Sequence, residues 1–466
     1  MSLVRAALTL AVALPSLLHA ALDPAAQQCV RRLAENTAAV ATAQAETNRA
    51  CLRTGGPDAQ TCLVADATGA VATASARTLA DVRALCEAFP PFGAPQRLAE
   101  TANAAGTLHE RGLVADVFGP DLAAAVASGR REARCQTRVL RRAERVMRAC
   151  VADYLRCSAK ALPTADAASL AACVGQDAPA VARAASRLRQ LATGRCARVD
   201  ATSLFPGRCS GLTGAALATC LDGRIACRAC RLVDSAGALG ADCDRLDDGT
   251  ANDSCRIPVS VSGNAIPFNG GDQRIAGAEI WILEHPERRM VTSVDGAFRF
   301  DDLAEGDEVT LVLDHPDYHA IQTGTHRLGP QGAERVTFQA VVHAIYNALA
   351  LLLGVTPDPA KCQIVTTVTR VGRSLYDPGA HGEDGATTVL LGPGADEGPI
   401  YFNSSVLPDR TVTETSDDGG VLYFNATPGT YHWTASKPGA AFASLTMTCR
   451  PNVLVNASPP WGLQRQ

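Results

Sequence analysis

Lysine is nearly missing from this chain of 466 residues: three stand against 40 arginines, and the net charge is −4. The skew reads as codon usage rather than a choice of partner, and a slightly acidic chain is not suited to general nucleic-acid binding. Aromatic residues are also scarce, at 5%, and the only tryptophans are Trp281, Trp433 and Trp461. That leaves little material for a sugar-stacking platform. Beyond the N-terminal segment no apolar run approaches the ~18 residues of a membrane span; the longest, Val341 to Leu353, is interrupted by His343 and Asn347. The Gly-x-Ser-x-Gly elbow of serine hydrolases does not occur, nor does a His-x-x-Glu zinc-ligand pair. With no nameable set of nucleophile, base and oxyanion donors, the chain reads as non-enzymatic.

What the chain has is cysteine: 17 residues, all after position 28. Residues 1–20 fit a secretory signal peptide, with Arg5, an apolar core from Ala6 to Leu14, and Ala20 at the cut. Export implies an oxidising compartment, where disulfides persist. Cys29 and Cys51 are 22 positions apart, as are Cys135 and Cys157; Cys62 and Cys86 are 24 apart, and Cys173 and Cys196 are 23 apart. Alanine-rich, proline-free stretches on both sides of Gly55-Gly56-Pro57 favour helix. Folding the chain back at that turn sets Cys51 against Cys62 and Cys29 against Cys86. The same fold about Leu162-Pro163-Thr164 sets Cys157 against Cys173 and Cys135 against Cys196, with the return arm broken at Pro179. The spacing predicts two disulfide-clamped helical hairpins, residues 24–90 and residues 91–200, the second preceded by linker helices. Connectivity is not strictly readable from spacing, so pairing between hairpins is the alternative.

On the helix from Arg134 to Cys157, the 100° step places Arg134, Arg138, Arg141, Arg145 and Arg148 on one narrow face, opposite the cysteines. Such a stripe is either a solvated face or a grip for an anionic partner. Residues 201–255 form a cysteine-rich acidic segment holding Cys209, Cys220, Cys227, Cys230, Cys243 and Cys255. It reads as loop-rich, with Cys150 either a staple that anchors it to the second hairpin, the reading preferred, or an unpaired thiol on the inward face of its helix. Asp242, Asp244, Asp247, Asp248, Asn252 and Asp253 surround a glycine turn, a pattern of oxygens that suits calcium. The segment is similar to a thrombospondin type 3 calcium loop. The other reading is an acidic loop of Asx turns closed by a Cys243–Cys255 bridge.

Composition changes at Arg256 to alternating strands with Gly, Pro and Asp turns. Gly277-Ala278, Asp295-Gly296, Phe298-Arg-Phe300 and Glu305-Gly306 recur in kind as Gly385-Ala386, Asp418-Gly419, Leu422-Tyr-Phe424 and Pro428-Gly429. This resembles the carboxypeptidase regulatory-like family, and the resemblance implies two transthyretin-like all-β sandwiches, residues 256–340 and 362–460. A connecting helix and linker would occupy residues 341–361. Cys362 and Cys449, near the first and last strands of the second sandwich, are expected to pair. The module occurs beside many activities, so it implies fold rather than function. His315, His319 and His326 admit a metal reading, but the first two belong to an aromatic turn after a strand. Taken together, the sequence predicts a multidomain chain of α hairpins followed by β-sandwiches. It would be a secreted structural or binding protein whose partner is an envelope or extracellular protein or a glycan. A carbohydrate-binding role through the sandwiches, with Trp281 beside Glu279, is the alternative. No cofactor other than calcium is implied.

Overall fold

The helical half opens with α1 (Pro24–Thr54), where the Asp23 carboxylate accepts the Ala26 amide at 2.8 Å and Pro24 sits in the first turn. The computed structural model describes residues 22–86, 97–164, 167–175, 178–200, 203–377 and 379–466, and the signal-peptide expectation lies outside them. The return arm expected as one helix is two, α2 (Ala59–Ala65) and α3 (Ala70–Leu85). Asp66 turns the chain at φ 41, and its carboxylate caps α3 by taking the Val71 and Ala72 amides at 3.1 and 2.8 Å. Cys29–Cys86 and Cys51–Cys62 clamp this hairpin.

After α4 (Leu98–Phe118) and the short α5 (Leu122–Ala125) comes the second hairpin, α6 (Arg130–Ala161) against α7 (Ala167–Ala171) and α8 (Pro179–Thr193). Pro179 takes the first turn of α8, where it breaks the return arm. Cys135–Cys196 and Cys157–Cys173 close it, each with 5.5 Å between Cα atoms. The two hairpins meet directly, α1 against α6, and α4 packs along α1. At Gly106 a Cβ would fall 2.9 Å from Val40 Cγ1 and 3.0 Å from the Thr37 carbonyl, so a larger residue would push the two helices apart.

Residues 201–255 correct the sequence reading. They hold α9 (Gly214–Gly237) and α10 (Cys243–Asp248), and α9 packs on α1, α4, α6 and α8, burying Leu217, Leu221, Ile225 and Leu232. Its cysteines pair locally, as Cys209–Cys220, Cys227–Cys255 and Cys230–Cys243. Cys150 is therefore free and anchors nothing, and Cys243 does not pair with Cys255. A buried helix needs no covalent staple, because it joins the same core as α6. One buried carboxylate ties α9 to α4: Asp116 takes both Nε and Nη2 of Arg228, at 2.8 and 3.1 Å, with Arg224 at 3.6 Å.

The first β module runs β1 (Pro258–Pro267), β2 (Glu279–Ile282), β3 (Arg289–Val291), β4 (Ala297–Ala304), β5 (Glu308–Asp314), β6 (Ile321–Arg327) and β7 (Ala333–Ala340). One sheet is ordered β4-β1-β7 and the other β3-β2-β5-β6, and both contribute to a single core that includes Phe298, Phe300 and Phe338. Helix α11 (His343–Leu352) follows. The second module holds β8 (Cys362–Thr369), β9 (Thr387–Leu391), β10 (Ala395–Phe402), β11 (Pro408–Asp409), β12 (Gly420–Ala426), β13 (Gly429–Ser436), β14 (Leu445–Cys449), β15 (Leu454–Asn456) and β16 (Leu463–Gln464). Cys362 is bonded to Cys449. Both Asp-Gly turns require glycine: Gly296 and Gly419 have φ of 70 and 77, and a Cβ would meet the Ala265 carbonyl at 2.7 Å or the Val368 carbonyl at 2.3 Å.

The two modules are not separate. β15 pairs in parallel with β6 on one edge and β8 on the other, so one sheet runs β11-β10-β12-β8-β15-β6 through both. Its Val455 is buried in the core of the second module, while Leu454 joins the core of the first.

The helical half docks onto the turn after β4. Glu305 is buried there, its carboxylate 3.1 Å from His109 Nε2 of α4 and hydrogen-bonded to Ser235 of α9. Burial would raise this carboxyl, but His109 and Ser235 outweigh it and hold it below the ordinary glutamate value. Asp234 adds an ion pair to Arg327 at 3.0 Å. The Glu-Gly turn of the sequence motif is thus also the seat of the helical half.

Two expected outcomes follow from the fold. Glu110 and Glu144 are buried where α4 and α6 meet, and Arg49 of α1 pairs with Glu144. Burial pushes Glu144 from 4.5 up to about 7 against the pull of Arg49, and burial followed by the Glu144 charge raises Glu110. The folded state therefore keeps protons that the unfolded chain has released, and stability falls as pH rises from about 4.5 through about 7. Urea unfolding should show a decline across that window, of which the roughly 3 kcal/mol due to Glu144 is lost in Glu144→Gln while the part due to the burial of Glu110 remains; an equal decline in the variant would place the titration elsewhere. In the β half, Val455→Pro removes a ladder hydrogen bond from the shared strand. Calorimetry should resolve two β transitions in this variant where the parent shows one.

Candidate functional site

Side chains alternate along a strand, so the sheet through β10, β12, β8 and β15 has two faces. Tyr401, Tyr423, Ile364 and Val455 point into the core of the second module. Phe402, Leu422, Phe424, Val365 and Leu454 point the other way, toward α11. That helix ends where Gly354 takes φ 66 ahead of Pro357. It covers the face incompletely: Ala350 and Leu353 are buried, but Leu351 is 81% exposed and Leu352 61%. Between helix and sheet lies a cavity of about 350 Å³, roofed by Tyr346 and Leu349. Tyr346 is held by stacking on His319, with ring centroids 3.9 Å apart and planes 12° apart.

The floor of the cavity is apolar and its rim is polar. Gln363 is locked to Asn425, accepting its amide at 2.8 Å and donating to its side chain at 3.2 Å. Thr367 and Ser458 share a hydrogen bond of 3.0 Å, and Asn456 accepts the Ser458 amide at 3.0 Å. At one end stand His381, Asp417 and Asp418, and among the described residues no lysine or arginine lines the space. Asp418 belongs to the Asp-Gly hairpin turn; burial pushes its carboxyl up, while the Gly420 amide at 3.0 Å opposes the shift. Of these residues the sequence reading quoted Asp418, Leu422 and Phe424, as a hairpin turn and the aromatic strand after it, and assigned none of them to a site. The alternation of β12 could have revealed the second apolar face.

The three candidate histidine ligands do not converge. His315 packs edge-on to Tyr318, His319 lies under α11, and His326 is buried on β6, where burial alone pushes it down to about 4. Of the six candidate calcium ligands, Asp244, Asp247, Asp248 and Asn252 share one hydrogen-bonded loop, but among the described residues no three of the carboxylates bring ligand atoms within 4.8 Å of one another. Asp242 caps α10 through the Arg245 amide. Asp244 takes the amides of Asn252, Asp253 and Cys255 at 2.6–2.9 Å, Asp248 takes Thr250 and Asn252, and Asp247 takes the Ser254 hydroxyl. These amide bonds outweigh desolvation and hold Asp244 below the ordinary aspartate value. Among the described residues one set of three ligand atoms lies within 4.8 Å, that of Cys227, Asp247 and Cys255, and its two sulfurs are already joined.

All five arginines of the α6 stripe, Arg134, Arg138, Arg141, Arg145 and Arg148, are exposed. The tryptophans are not open platforms. Trp433 is fully buried, Arg289 lies 4.9 Å over the Trp281 ring, and Arg97 lies 4.3 Å over Trp461. Trp461 borders a second cleft, of about 660 Å³, where the helical half meets the β half. No helix among the described residues is long and apolar enough to cross a membrane.

No protein-family model and no curated protein matches this chain. A search of solved structures gives the Bacillus anthracis TIE protein, at 14% identity, over 43% of this chain and 34% of that one, with a TM-score of 0.16. The match spans about a third of that protein, and at this score it carries no argument about fold or activity.

Cys150 tests the disulfide assignment. Burial, then the charges of Asp153 and Asp222, push its thiol up to about 12. Thiolate is the reactive form, so native protein at pH 8 should resist iodoacetamide. Denatured but unreduced protein should take one label, located by mass spectrometry on the Cys150 peptide. A label between Cys209 and Cys255 would contradict the pairing.

Proposed function

We propose that this is an exported, non-enzymatic binding protein in which a disulfide-braced helical platform carries two transthyretin-like sandwiches, and that the cavity under α11 is its ligand site. Export is supported by eight disulfides together with the N-terminal sequence. The sandwich reading is supported by the seven strands of the first module, arranged three against four around one core. The binding reading rests on one observation above the others. A helix that is mostly apolar roofs an apolar sheet face and leaves 350 Å³ open, lined by aromatics and a few fixed polar groups.

The lining specifies the ligand class. An apolar body fits the Val365, Leu422 and Phe424 floor, and a hydrogen-bonding or cationic head group fits the end marked by Asp417 and Asp418. Rim side chains bonded to one another or to backbone suit recognition rather than chemistry. A glycan reading through the sandwiches draws little from the three tryptophans, each buried or beneath an arginine. The neutral fluorophore N-phenyl-1-naphthylamine should bind at one saturable site and be displaced by decylamine. Val365→Phe, which fills the cavity, should weaken both by at least ~10-fold with little change in melting temperature. Unsaturable binding, or binding indifferent to this substitution, would remove the cavity from the proposal.

A further inference from the structure

The stripe on α6 lies far from the β cavity in sequence and is independent of it. Arg134, Arg138, Arg141, Arg145 and Arg148 alternate at steps of four and three, so they form a single file about 21 Å long at 1.5 Å per residue. Every one is exposed. None makes an ion pair within 4 Å among the described residues, although the chain as a whole is acidic.

The helix has acids that could neutralise this file, and each is directed elsewhere. Glu144 turns inward to Arg49, Asp153 pairs with Arg156 at 2.8 Å, and Glu132 folds back over Gly129 at the helix start. The neighbouring α8 contains no acidic residue and adds exposed Arg183 and Arg187. Slight burial and then the guanidinium groups of Arg141, Arg142, Arg148 and Arg187 hold Arg145 below its ordinary value, so the charges act on one another. Like charges at these spacings destabilise a helix, and the fold relieves the repulsion only in part, through the pull of Glu144 on Arg141 and Arg148 and of Glu110 on Arg148.

The surroundings narrow the partner. No large apolar side chain is exposed anywhere on α6 or α8. A protein interface would bury aromatic or aliphatic anchors, and a membrane-seated helix would present an apolar face. Acidic composition and disulfide-rich structure argue against nucleic acid. Guanidinium groups in a row match carboxylates or sulfates carried in a row, each able to accept two hydrogen bonds from one arginine. From this geometry we infer that the α6 stripe is a binding surface for a linear acidic polysaccharide.

The test uses the full disulfide-bonded protein and a decamer of galacturonic acid, with affinity measured by calorimetry over a range of NaCl. The decamer should bind, and its affinity should fall steeply with salt as counterions are released. Arg138→Glu with Arg145→Glu should weaken binding at least tenfold and flatten the salt dependence without lowering the melting temperature. Arg53→Glu with Arg83→Glu changes the net charge equally on exposed positions outside the stripe and should bind like the parent. Equal loss in both double variants would reduce the effect to overall charge and overturn the proposal. Tighter binding to phosphatidylglycerol vesicles or to duplex DNA than to the decamer would also overturn it. Failure of decamer binding leaves the cavity reading untouched, since N-phenyl-1-naphthylamine reports that site separately.

Discussion

Three residues hold the β half together. Leu454, Val455 and Asn456 pair on both edges, with Ile321–Thr323 and with Gln363–Val365, and among the described residues the other strand joining the modules, β14 on β6, pairs at Thr446–Thr325 alone. The alternation of side chains makes this short segment do several things at once. Val455 completes one core, Leu454 touches the other, and Asn456 faces the cavity and fixes the chain beyond it through Ser458. Without the shared strand the outer face of β8 would be the edge of a smaller sheet, and α11 would have no continuous floor to roof.

Three buried carboxylates serve the helical half in a comparable way. Asp116 fastens α4 to α9, Glu144 fastens α6 to α1, and Glu305 fastens the β half to α4 and α9. Buried charges are a weak source of net stability, but an unpaired one is costly. Each therefore penalises any packing in which its partner is misplaced. Leucine at the same positions would be content with several arrangements.

The helical hairpins were legible because an antiparallel pair of helices leaves a nearly constant sum of cysteine positions. The break at Asp66 was not read, although Asp66 and Gly69 carry cap and left-handed signals. Alanine on both sides hid it. Helix α9 was mistaken for a loop because its cysteines and Gly223 drew attention from Leu217, Leu221, Ile225 and Leu232, which recur at helical spacing. The apolar floor of the cavity was within reach of the β12 pattern, but the cavity itself was not. It depends on parallel pairing between segments about 130 residues apart, and non-local pairing leaves no local periodicity.

The nesting of the disulfides bears on how the chain matures. Cys51–Cys62 lies inside Cys29–Cys86, and Cys157–Cys173 lies inside Cys135–Cys196. A chain entering an oxidising space N-terminus first exposes Cys29 and Cys51 together before the partner of either has arrived, and later Cys135 and Cys150. An oxidant acting on neighbours as they appear would form the wrong bond at the start of both hairpins. The native pattern requires either that helix formation hold those thiols apart or that a thiolate attack and reshuffle the early bonds. On the proposed export route, maturation is thus a race between helix formation and oxidation, and where oxidation wins, yield should follow the thiol-exchange capacity of the receiving compartment.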